Sequence, residues 1–133
     1  MSEMRRNLTT LAAALVLGAF LSGVVHSADD ELSTDLMQSI EDTNKSMASH
    51  IALQNTKGAT SDAKDLQEMF TQVESFYVHK GDAPDAVELA RKSRTLSGEI
   101  LKQVDAKEFD KAVNTATDLA RACKTCHNFY KKS

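Results

Sequence analysis

The chain has 133 residues, a formal charge of -3, 26% charged side chains, one proline, no tryptophan and two cysteines. There is no basic excess to neutralise phosphates, which argues against nucleic acid as a partner. Two cysteines with no His-x3-5-His partner fall short of a structural zinc site, and the length suits a single domain.

The first 27 residues read as a processing segment. Arg5 and Arg6 form a basic start, and Leu11 to Val25 is a nearly unbroken apolar run interrupted by Gly18, Ser22 and Gly23, the build of a secretory signal peptide. The run is too short for the ~20 apolar residues that span a bilayer. Cleavage after Ser27 places Val25 and Ser27 at the positions that decide it, and no cysteine stands there to take a lipid. Removing Glu3, Arg5 and Arg6 takes the charge from -3 to -4. The expected product is one domain, residues 28–133, with no membrane insertion after cleavage.

Four amphipathic helices are predicted in that domain. In the first, Ser33 or a nearby Asp can cap, and Met37, Ile40, Asn44, Met47 and Ile51 recur at steps of three and four. Asn55-Thr56-Lys57-Gly58 is expected to close it. In the second, Ser61 can cap, Ala63, Leu66, Phe70, Val73 and Tyr77 share a face, and Gly81 stops the helix. Pro84 suits the first turn of the third, whose face is Ala86, Leu89, Ala90, Leu96, Ile100 and Val104. Gly98 lies within it at a cost of about 1 kcal/mol in helix propensity, tolerable if it lets two helices approach closely. The fourth face runs Phe109, Ala112, Ala116, Leu119, Cys123, Cys126, Tyr130, a seam of the kind a bundle helix needs.

That last helix ends in Cys123-Lys124-Thr125-Cys126-His127, the C-x-x-C-H pattern of covalent haem attachment. Two thiols three residues apart on one helical turn can each form a thioether to one of the two vinyl groups on a haem edge. The imidazole of His127 then points at the iron. A thioredoxin-like C-x-x-C would open a helix after a strand, whereas this one closes a helical pattern at the end of the chain. A disulfide between Cys123 and Cys126 would close a tiny loop and stabilise little.

With Arg121 two residues before the first cysteine and an aromatic three after the histidine, residues 119 to 130 resemble the class II c-type cytochromes, cytochrome c-prime and its low-spin relatives. The resemblance implies a four-helix bundle with one covalent haem c near one end, His127 as the proximal ligand and Arg121 as the arginine that accompanies the haem. It leaves a homodimer through the first two helices open.

Short connections between four comparable helices favour an all-α, antiparallel up-down-up-down bundle. That topology sets the first two turns of helix one level with His127, which makes Met37 the leading candidate for the sixth iron ligand. Core packing is the competing role for Met37. Met47, ten residues on, lies about 15 Å deeper and reads as core filler with Met69. His50 reads as an exposed helix residue and His79 as a surface residue at a helix end. Lys131 and Lys132 complement the negative end of helix four, and a ring of cations could alternatively receive an acidic redox partner.

The expected protein is a periplasmic electron carrier working with redox partner proteins, and no enzyme constellation is present at a recognisable spacing. The alternative is a five-coordinate protein of the cytochrome c-prime type that binds nitric oxide or carbon monoxide.

Overall fold

The computed structural model describes residues 31–130. The signal segment assigned to residues 1–27 lies outside them, as do Lys131 and Lys132. The described chain is a four-helix, all-α bundle: α1 Thr34–Ala52, α2 Thr56–Lys80, α3 Pro84–Asp105 and α4 Phe109–Tyr130. No strand occurs among the described residues. None of these helices is long and apolar enough to cross a membrane.

Local chemistry sets the boundaries. Ser33 caps α1, its hydroxyl accepting the Leu36 N–H at 3.4 Å. Pro84 opens α3, where a missing N–H costs no helical hydrogen bond. The start of α2 differs from the sequence expectation. Asn55, not Ser61, is its cap, and the Asn55 side chain accepts the Gly58 N–H at 3.0 Å. Asn55-Thr56-Lys57-Gly58 therefore opens α2 instead of closing α1, because an Asx side chain at this position satisfies a first-turn donor.

Each connection is three residues long and turns through one left-handed residue: Gln54 at φ 53°, Gly81 at φ 78° and Lys107 at φ 60°. The turns after α1 and α3 are Schellman motifs. Gln54 and Asn55 donate to the carbonyls of Ile51 and His50, and Lys107 and Glu108 donate to those of Val104 and Gln103. Gly81 was expected to end α2 and does so, its N–H donating to the Tyr77 carbonyl at 3.1 Å.

The core is built from the predicted faces. Ile40, Met47 and Ile51 of α1 meet Leu66, Phe70 and Val73 of α2, Ile100 and Val104 of α3, and Leu119 of α4. Alanines at 59, 63, 86, 90, 112 and 116 are buried with them and keep the helices close. Two serines also lie inside, and Ser97 avoids an unpaired hydroxyl by donating to the Ser93 carbonyl at 2.9 Å. The α2–α3 interface is the most extensive, and the α1–α4 interface is smaller than those joining successive helices.

Polar contacts fix how the helix ends meet. Late in α2, Glu74 is held by two guanidiniums of α3, Arg91 at 3.0 Å and Arg94 at 3.1 Å, with only 14% of its side chain exposed. Lys107, after α3, donates to Thr56 at the start of α2. His50 corrects a sequence expectation: it is not an exposed helix residue. Its Nδ1 lies 2.8 Å from Asp62, and its ring covers Gly58 so closely that a Cβ there would stand 2.6 Å from it. The position became visible only when α1 and α2 were folded against each other. At Gly98 the neighbour is the amide of Gln67, 2.7 Å from where a Cβ would be.

Candidate cofactor site

The site is built on the last turns of α4. Its buried stripe, Ala112, Ala116, Leu119 and Ala122, runs on into Cys123, Cys126 and Tyr130, which are half-buried, while Lys124, Thr125, His127 and Asn128 are exposed. A separation of three residues leaves two helical side chains about 60° apart in rotation and about 4.5 Å apart along the axis. The two thiols therefore occupy one face, one turn apart. Both are free, and Cys123 packs against the hydrophobic core.

Burial sets the acidity of these thiols. It pushes Cys123 from 9.0 up to about 11, with a further contribution from its neighbour Cys126. Burial also raises Cys126. Both are protonated at neutral pH. Tyr77 is held above the usual phenol range, first by its own burial and then by the nearby Cys126 and Tyr130. The wall beside Cys126 is aromatic: the Tyr77 ring lies 5.5 Å from that of Tyr130 and 5.1 Å, edge to face, from that of Phe76.

The sequence-derived residues take the following places. Cys123 and Cys126 share a face, joined there by Tyr77 and Tyr130. His127 follows them in the last turn of α4 with an exposed side chain. Met37 sits in the first turn of α1, half-buried against the core, where its own N–H makes the first α1 bond to Ser33. Arg121 lies about 200° round the helix from Cys123. Its side chain is 74% exposed and pairs with Asp118 at 2.9 Å. Exposed Phe129 was not singled out in the sequence, where it reads as one more apolar residue of an amphipathic helix. Only its 69% exposure distinguishes it.

The residues present suit a haem c in kind. They supply two reduced thiols on one helical face, an imidazole directly after the second, and apolar and aromatic walls. Among the described residues no three His, Cys, Asp or Glu side chains converge on one point. The thiols and imidazole thus do not form a closed cation site. The cavity of about 430 Å³ bounded by Gln54, Thr56, Lys107, Phe109 and Asp110 lies elsewhere: Phe109 is seventeen residues from Cys126, about 25 Å along α4. No family model matches the chain, and neither does any curated protein or solved structure.

Proposed function

We propose that this protein is an exported, periplasmic electron carrier of the class II c-type cytochrome kind, with one covalent haem at the end of α4. The observation that carries the reading is the pair of half-buried free thiols one turn apart, followed at once by the exposed imidazole of His127. An up-down-up-down course is part of the reading. It is supported by the Arg91–Glu74 contact between α2 and α3, by the Lys107–Thr56 contact between the turn after α3 and the start of α2, and by the Tyr77–Tyr130 rings at the ends of α2 and α4.

Cys123 and Cys126 would hold the group by adding S–H across its two vinyl double bonds, each forming one C–S bond with no leaving group and no net oxidation. His127 would give a nitrogen to the iron and Met37 a sulfur. When bound, the haem supplies a one-electron couple, and His/Met ligation favours its reduced state. The chain's own part is to keep water away from that couple. Leu119 is sealed and Tyr77 is 9% exposed, while Tyr130 packs on Tyr77 from α4.

The test is the intact mass and visible spectrum of the protein recovered from a host that attaches haem. The expected mass exceeds that of the processed chain by one haem, and Cys123→Ser with Cys126→Ser returns it to the bare chain. The expected spectrum is low-spin, with a far-red thioether band that Met37→Ala abolishes. A bare mass for the parent protein ends the reading. A high-spin spectrum indifferent to Met37→Ala, with carbon monoxide binding, replaces the carrier by the five-coordinate gas-binding protein.

A further inference from the structure

The chain has two tyrosines and no tryptophan, and folding brings the two tyrosines together. Tyr77 stands near the end of α2 and Tyr130 in the last turn of α4, yet their ring centroids are 5.5 Å apart with the planes tilted by 47°. Rings at that separation touch at their edges. The other aromatic neighbours of the pair are phenylalanines: Phe76 meets Tyr77 edge to face at 5.1 Å, and Phe129 lies 6.3 Å from Tyr130. Phenyl rings give up an electron far less readily than phenols. The readily oxidised aromatic chemistry of the chain is therefore confined to this one pair.

Confinement favours one outcome. Tyr77 is 9% exposed and Tyr130 is half-buried, so a radical formed on either ring is shielded from other molecules while its partner is already in place. Groups held in contact react as if their concentration were orders of magnitude above anything reached in free solution.

We propose that Tyr77 and Tyr130 form a covalent modification site, at which a diffusible one-electron oxidant joins them as dityrosine. Each phenol loses one electron and its hydroxyl proton. The two phenoxyl radicals then pair their electrons in a C–C bond between the ring carbons ortho to oxygen, and the hydrogens on those carbons pass to the oxygens. The sum is two electrons to the oxidant, two protons to water and one new bond between α2 and α4. That bond ties the end of α2 to the turn that carries Cys126 and His127 and closes α3 into a covalent loop, which restricts the unfolded chain. The coupling needs no haem.

The thiol of Cys126 belongs to the same neighbourhood, since it acts electrostatically on Tyr77. It is free and can return a hydrogen atom to a phenoxyl radical, itself becoming a thiyl radical. Coupling is therefore fullest when the thiols are out of play.

The test treats the dilute chain carrying Cys123→Ser and Cys126→Ser with two equivalents of hexachloroiridate(IV), each of which accepts one electron and becomes hexachloroiridate(III). The expected product is a monomer lighter by two hydrogens, with the blue fluorescence of dityrosine, whose tryptic digest joins residues 65–80 to residues 125–131. Tyr77→Phe and Tyr130→Phe should each remove the link. Urea, which separates α2 from α4, should cut its yield about ten-fold or more. The same Tyr77–Tyr130 link is expected in the parent protein as recovered, in lower yield wherever Cys126 is a free thiol, and it decides the question if the double variant does not fold. The linked chain should unfold at a higher urea concentration than the unlinked one. Oxidant consumed without a link in either protein, a yield undiminished by urea, covalent dimers in place of the monomer, or a linked chain that unfolds at lower urea would overturn the proposal. A bare intact mass for the parent protein defeats the haem reading and leaves this one standing.

Discussion

At the scale of single residues, the two cysteines show how position on a helix controls reactivity. Cys123 and Cys126 stand in an amphipathic seam, so folding takes both partly out of water and disfavours their thiolates. In the haem-free chain this links stability to pH. Below the unfolded value near 9 both states hold the proton and the stabilisation is whole. Between about 9 and 11 the unfolded Cys123 ionises while the folded one does not, so stability falls as pH rises. The expected loss for Cys123 is on the order of 2 kcal/mol, read from urea unfolding at pH 8 and pH 11 against a Cys123→Ser control. Alkylation by iodoacetamide at pH 8 should also be slower in the folded chain than in urea. Arg121 shows the limit of such reading. Its identity in the motif was legible, while its side-chain direction followed from which face of α4 met the bundle.

At the scale of elements, the three turns do the same work with different residues. Gly81 occupies the left-handed conformation without a steric cost, but Gln54 and Lys107 occupy it with side chains, a conformation that costs non-glycine residues about 1–2 kcal/mol. The Schellman hydrogen bonds and the burial of Ile51 and Val104 hold these two turns in place. Gln54→Gly should therefore stabilise the protein, by about 1 kcal/mol after glycine's greater freedom in the unfolded chain is allowed for. A thermal melt checks this, and a lowered midpoint would contradict it. Neither turn could be read from the sequence, because the usual signal is a glycine and none is there. The nearest one, Gly58, drew the expected end of α1 too far along the chain. The reason for Gly58 is instead the ring of His50 across the α1–α2 turn.

At the scale of the whole molecule, the four helices share one core, and single substitutions in it should act on the entire bundle. Leu119 has no exposed surface and lies one turn before Cys123, while Val113 on the same helix is 46% exposed. Leu119→Ala should cost about 2–5 kcal/mol, lowering the urea midpoint with the slope unchanged and a single transition retained. Val113→Ala should stay within about 0.5 kcal/mol. Two separate transitions for Leu119→Ala would show that α4 can leave a bundle of three.

Much of this architecture was written in the order of side chains. The steps of three and four that place Leu66, Ile100, Leu119 and Cys123 on their faces follow from the helical repeat alone. Pro84 and Gly81 punctuate the chain through their own backbone preferences, and the C-x-x-C-H spacing puts two sulfurs on one turn whatever surrounds it. Contacts between distant segments could not be obtained in that way. The pairing of half-buried His50 with Asp62, the clamp of Arg91 and Arg94 on Glu74, and the meeting of the Tyr77 and Tyr130 rings each join residues of different helices. They were decided only when the helices met, because burial and pairing are properties of the packed surfaces and not of any one segment.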